Sequence, residues 1–231
     1  MKFLITILGL VLCINVHAND SAFKNTRQTV VAMGHGCDIR LQVPVNAYLT
    51  SRHENKGFGN GTAGLKLENP FNLQSDNVYA QTFYMGFTCY AEDDDIVGAS
   101  AVRFDSERNE WVRDIEKRIA ATHATWSTKD LMEMRRDFAR AIQVYPLKTT
   151  NASGYAYSED DTTGVAQWHR RTLNFCLIKP PKALCGGNFN GYYVDNKETD
   201  LTPYFLQILR SIEFIDDVPP AHSSNDSDDI E

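Results

Sequence analysis

Between Asn174 and Gly187 the chain reads NFCLIKPPKALCGG, and the placement of Cys176 and Cys185 symmetrically about Pro180-Pro181 constrains the fold more than any other feature. If the prolines turn a hairpin, Leu177 faces Leu184, Ile178 faces Ala183, and the two cysteines lie directly opposite. Opposed residues of a non-hydrogen-bonded antiparallel pair bring their Cβ atoms near enough for a disulfide. A redox role would want closely spaced thiols, one with a lowered pKa, and zinc would want spacings such as C-x₂-C. Neither pattern occurs, so the stretch predicts a stapled hairpin.

A staple requires an oxidising compartment, and the N-terminus supplies the reason to expect one. MKFLITILGLVLCINVHAND has an early lysine, an apolar run from Phe3 to Leu12 and Val16-His17-Ala18 ahead of Asn19-Asp20, the layout of a secretory leader cut after Ala18. Leu12 is too bulky for the position before a lipidated cysteine, so Cys13 is expected to leave with the leader. No later stretch approaches the ~18 apolar residues of a membrane span. A soluble periplasmic protein is expected.

Of the five cysteines, Cys37, Cys89, Cys176 and Cys185 then remain. An even number in an exported chain argues for two bridges, and once Cys176 takes Cys185, Cys37 is left for Cys89. A disulfide sulfur cannot act as a thiolate, which removes the Cys/His reading of His35-Gly36-Cys37. His123 and His169 occupy ordinary positions.

Hydrophobic residues at 42% and aromatics at 11% are those of a folded protein, and the length after cleavage suits one domain over 19–218. A polar, acidic tail over 219–231 is expected to be disordered. The formal charge of −7 repels phosphate backbones and argues against nucleic acid. It favours a basic partner instead.

Along the chain, residues 29–48 alternate in strand fashion, with Cys37, Ile39, Leu41 and Val43 on one face and Asp38, Arg40 and Gln42 on the other. Residues 51–77 read as loop around a short strand at Leu65-Lys66-Leu67. A second strand is predicted over 78–90. Trp111, Ile115 and Ile119 recur at four-residue spacing and predict an amphipathic helix. A second helix starts at the N-cap Ser127, with Asp130 three residues on as a short relative of a capping box, carries Leu131, Met134, Phe138, Ala141 and Ile142 on one face, and stops before Pro146. Strands over 154–158, 164–178 and 183–195 follow. A helix over 201–209 with Pro203 in its first turn leads into a strand at 211–215. The plan is α+β, an antiparallel sheet with helices packed on it.

The ending LTPYFLQILRSIEFID resembles the closing helix and strand of the PsbP-like superfamily, and RTLNFCLIKPPKALCGG is similar to its penultimate hairpin. GHGCDIRLQVP is similar to the opening strand of periplasmic immunity proteins that neutralise type VI secretion effectors, in particular the group protecting against lipase-type toxins. What the resemblance implies is a stoichiometric inhibitor without chemistry of its own. A PsbP-like accessory or ligand-binding protein of an envelope complex is the alternative.

Catalytic motifs point the same way. G-x-S-x-G, H-E-x-x-H, a P-loop and a dinucleotide fingerprint are all missing from the sequence, and neither an enzyme nor a cofactor is expected. Two carboxylate runs stand out, Glu92-Asp93-Asp94-Asp95 and Glu159-Asp160-Asp161. They lack the D-x-[DN]-x-[DN]-G spacing of a calcium loop, and no metal is expected there. Each is expected to follow a strand and open a loop on one rim of the sheet, where it would steer a basic toxin face. Asn60-Gly61-Thr62 and Asn151-Ala152-Ser153 match glycan acceptor triplets, of consequence only in a eukaryotic host.

Overall fold

The Pro180-Pro181 turn, with a cis peptide bond, joins β10 (Arg170–Lys179) to β11 (Lys182–Tyr193). The computed structural model describes residues 24–34, 36–52, 61–68, 82–94, 101–122, 125–165, 169–193 and 200–215. Leu177 pairs with Leu184, Ile178 with Ala183, and Cys176 with Cys185, the register that places the thiols opposite. Both disulfides are formed, Cys176–Cys185 and Cys37–Cys89.

Around this hairpin the described strands form a seven-stranded antiparallel sheet in the order β3-β4-β5-β11-β10-β9-β8. Its members are β3 (Tyr48–Arg52), β4 (Thr62–Glu68), β5 (Thr82–Ala91), β8 (Ile142–Lys148) and β9 (Ser153–Asp160), besides the hairpin. A smaller sheet has the order β1-β2-β12, from β1 (Thr26–Val31), β2 (Ile39–Pro44) and β12 (Glu213–Phe214). The helices are α1 (Ile115–Ala120), α2 (Thr128–Ala141) and α3 (Thr202–Arg210).

Alternation along the strands gives the large sheet two different faces. Leu65, Leu67, Phe83, Met85, Phe87, Phe175, Leu177 and Leu184 line one face and are buried. They pack against α3 and the small sheet, whose Ile39, Leu41, Val43, Phe205, Leu209 and Phe214 belong to the same core. Phe87 meets Phe175 and Phe175 meets Phe205 edge to face, at 5.8 and 5.9 Å, so one aromatic chain ties β5 through β10 to α3. Cys37, in the turn ahead of β2, bonds to Cys89 on β5. That bridge joins the two sheets.

The other face carries a second core of Tyr155, Cys176, Ala183 and Cys185, covered by Val102 and Trp111. Trp111 packs against Tyr155 with ring centroids 4.5 Å apart and the planes tilted by 51°. It does so from a strand, because β6 (Val102–Asp105) and β7 (Glu110–Arg113) form a hairpin where an amphipathic helix is predicted. The turn between them uses Asn109 at φ 53°, a conformation asparagine tolerates. The helix begins only at Asp114, whose carboxylate accepts the Lys117 N–H at 2.9 Å.

Ser127 caps α2 and forms the full capping box with Asp130. Ile142, expected on the helix, instead opens β8, and Pro146 lies in that strand. A strand at the sheet's edge can dispense with one N–H, so proline is tolerated there. The predicted single run over 29–48 divides into β1 and β2, with the turn between them held by Asp38. Its Oδ1 accepts the N–H groups of Met33 at 2.7 Å and Gly34 at 2.5 Å. Asp38 is therefore buried and not on the polar face with Arg40 and Gln42.

The residues 51–77 resolve, where described, into the end of β3 and the whole of β4. α3 carries Pro203 in its first turn, and β12 pairs with β2 through Glu213–Arg40 and Phe214–Ile39. The final strand thus returns to the small sheet. The leader, the tail, His35, His123 and Asn60 lie outside the described residues. No helix among the described residues is long and apolar enough to cross a membrane.

Candidate interaction surfaces

Strand pairing places the two carboxylate runs at opposite ends of the large sheet. Ala91, which precedes Glu92, pairs with Lys182 beside the proline turn. Asp160 pairs with Arg171 at the far end of β10. At about 3.3 Å per residue the stretch of β10 from Arg171 to Lys179 separates the two ends by roughly 26 Å. The single acidic rim expected from the sequence is therefore two separate features.

They differ in electrostatic character as well. Glu159 and Asp160 are the last residues of β9 and do not open a loop. Glu159 accepts a forked pair of bonds from Arg118, at 2.9 Å from Nε and 2.7 Å from Nη2. Arg118 in turn lies over the Phe138 ring at 5.1 Å, so the ion pair holds α1 and α2 against β9. Asp160 takes Nε and Nη2 of Arg171 at 2.5 and 2.8 Å, and Arg171 also approaches Asp200 at 3.8 Å. A bidentate guanidinium neutralises a carboxylate locally, and these two acids are accordingly structural.

Asp161 is different again. It accepts the N–H and the hydroxyl of Thr163 at 2.9 and 2.8 Å. Those bonds, with a smaller contribution from His169, hold its carboxyl below the usual range. Among the described residues, His169 Nε2 is buried with no hydrogen-bond partner.

At the opposite end the Glu92 N–H donates to Pro181 O at 3.0 Å, and the Asp94 N–H to Ala91 O at 3.2 Å. These bonds fix the acidic turn against the proline turn, whose two strands are joined by the Cys176–Cys185 bridge. Glu92 and Asp93 are exposed, and neither forms an ion pair among the described residues. Asp95 lies outside them. Lys182 flanks the turn on β11. Asn151, one of the glycan candidates, donates from Nδ2 to Phe214 O at 2.7 Å and accepts the Phe214 N–H at 3.1 Å. Its amide acts as a strap between the β8–β9 turn and β12.

One feature the sequence reading missed is a hollow of about 310 Å³ on the face of β3, β4 and β5, lined by Thr50, Arg52, Thr62, Gly64, Tyr84 and Thr88 among others. The alternation in TFYMGFTCY, which sends Phe83, Met85 and Phe87 inward, leaves Tyr84, Gly86 and Thr88 on the second face. That pattern was the available signal. Among the described residues no group of three or more His, Cys, Asp or Glu is arranged to hold a metal ion.

No protein-family model matches this sequence, and a search of curated proteins likewise finds no match.

Proposed function

We propose that this chain is an exported, non-enzymatic binding protein, an immunity protein that neutralises a secreted antibacterial toxin by covering its active site. The resemblance of its opening strand and its closing hairpin, helix and strand to PsbP-like periplasmic immunity proteins supports the reading. Two formed disulfides suit an oxidising compartment. The observation that carries it is the acidic turn at Glu92, Asp93 and Asp94: a run of carboxylates projected from a rigid, disulfide-backed sheet end, with Glu92 and Asp93 outside any described ion pair. Opposed potentials accelerate association with a basic face, and a preorganised turn loses little freedom on binding.

The test is co-expression of the exported chain with candidate lipase-type effectors, together with association kinetics of the purified pair. Protection of the host and a stable complex are expected. The E92K/D93K/D94K variant should associate about tenfold or more slowly at low salt, with the difference shrinking as salt is raised. Absence of both complex and protection, or an unaltered low-salt on-rate in the variant, would overturn the assignment.

A further inference from the structure

The hollow on β3, β4 and β5 has an ordered construction. Gly64 pairs with Gly86, and Gly86 with Gly187, so three neighbouring strands present glycine in one row on one face. A row without side chains is a trough in the sheet. Thr50 stands at its open end, paired with Gly64. One wall is the next row, in which Arg52 pairs with Thr62 and Thr62 with Thr88. The other is the row of Tyr48, Lys66 and Tyr84.

The floor cannot be filled without moving a wall. A Cβ at Gly64 would lie 2.9 Å from the Tyr84 hydroxyl oxygen and 3.3 Å from Thr50 Oγ1. The phenol therefore overhangs the bare backbone, and the hydroxyls converge on it. Arg52 is the charged residue among those lining the hollow, and among the described residues no carboxylate pairs with it. Arg40, Arg118, Arg135 and Arg171, by contrast, each meet a carboxylate at 2.9 Å or less. A guanidinium fork beside several hydroxyl donors matches an oxyanion in charge and hydrogen-bonding sense.

We infer that this trough is a binding site for a small oxyanion, a carboxylate or phosphate group held by Arg52 and by the hydroxyls of Thr62, Thr88 and Tyr84. The site is independent of the toxin assignment, since it lies on the sheet face and not at the acidic turn.

Amide chemical shifts of the oxidised full chain, titrated separately with acetate and with inorganic phosphate at constant ionic strength, provide the test. Saturable shifts in residues 50–52, 62–64 and 84–88 with at least one probe are expected. R52A should weaken that binding about tenfold, the loss of one charge-assisted contact, while R108A on the β6–β7 hairpin leaves it unchanged. T88V, which keeps the shape and removes one hydroxyl, should weaken it less. Both positions are on the sheet surface, and unchanged spectra elsewhere certify folding. Shifts that never saturate, shifts spread over lysines and arginines generally, or equal affinity in R52A and the parent would overturn the assignment. Saturation by only one of the two probes identifies which oxyanion the site prefers and supports it.

Discussion

Tyr157 shows how burial becomes pH dependence. Its phenol is partly buried against the second core, and burial first, with the Glu159 carboxylate adding to it, pushes its pKa up to about 12. An unfolded tyrosine titrates near 10, so between these values the folded chain keeps a proton that the unfolded chain has lost. The resulting stability is whole below pH ~10 and is lost as pH rises toward ~12, about 2 to 3 kcal/mol in all. Urea midpoints at pH 8 and pH 11 should differ more in the parent than in Y157F.

The neighbouring ion pair gives a second residue-scale prediction. R118A leaves the Glu159 carboxylate, 18% exposed, without its fork, at a cost of about 1 to 3 kcal/mol. Adding E159Q should recover part of that loss, because the uncompensated charge is then gone. A double-mutant cycle by urea denaturation measures both.

Among the elements, α2 was the most legible. Its cap and its first turn are local chemistry, and S127A should lower stability by about 1 kcal/mol, read as a shift in urea midpoint without a change in slope. The β6–β7 hairpin was not legible. Trp111, Ile115 and Ile119 have helical spacing, yet Trp111 is held in a strand by pairing with Phe104 across the hairpin and by the ring of Tyr155, a residue remote in the chain. Residues Ile142–Lys148 were hidden for a similar reason. Pro146 reads as a helix stop, and only the position of β8 at the end of the sheet order makes it compatible with a strand. Arg113 adds a tie that spacing could not predict, donating from Nη1 to Ile142 O at 2.7 Å and to Ala139 O, which fastens the end of α2 to β7.

Over the whole molecule the two disulfides should contribute unequally. Cys37–Cys89 closes 52 residues of chain and Cys176–Cys185 only 9. Loop-closure entropy assigns them about 4 and about 2.5 kcal/mol respectively. Replacing Cys37 and Cys89 together by alanine should therefore lower the melting temperature more than replacing Cys176 and Cys185, as calorimetry of the two double variants would show. The longer bridge also locks one sheet to the other, so its loss should loosen the α3 core as well.

The sequence by itself determined the features whose cause is local: the hairpin register at Pro180-Pro181, the consequent pairing of Cys176 with Cys185, the cap of α2, and the inward face of β2. Each follows from a two- or four-residue periodicity or a turn that leaves one arrangement open. The tertiary structure alone decided which carboxylates remain available. Glu159 and Asp160 look like Glu92 and Asp93 in a string of letters. Arg118 and Arg171 neutralise the first two because long-range strand order brings the guanidinium groups to them, and a composition or a charge run carries no information about such neighbours. The same holds for the trough beside Arg52, which exists because glycines from three separate strands fall into one row.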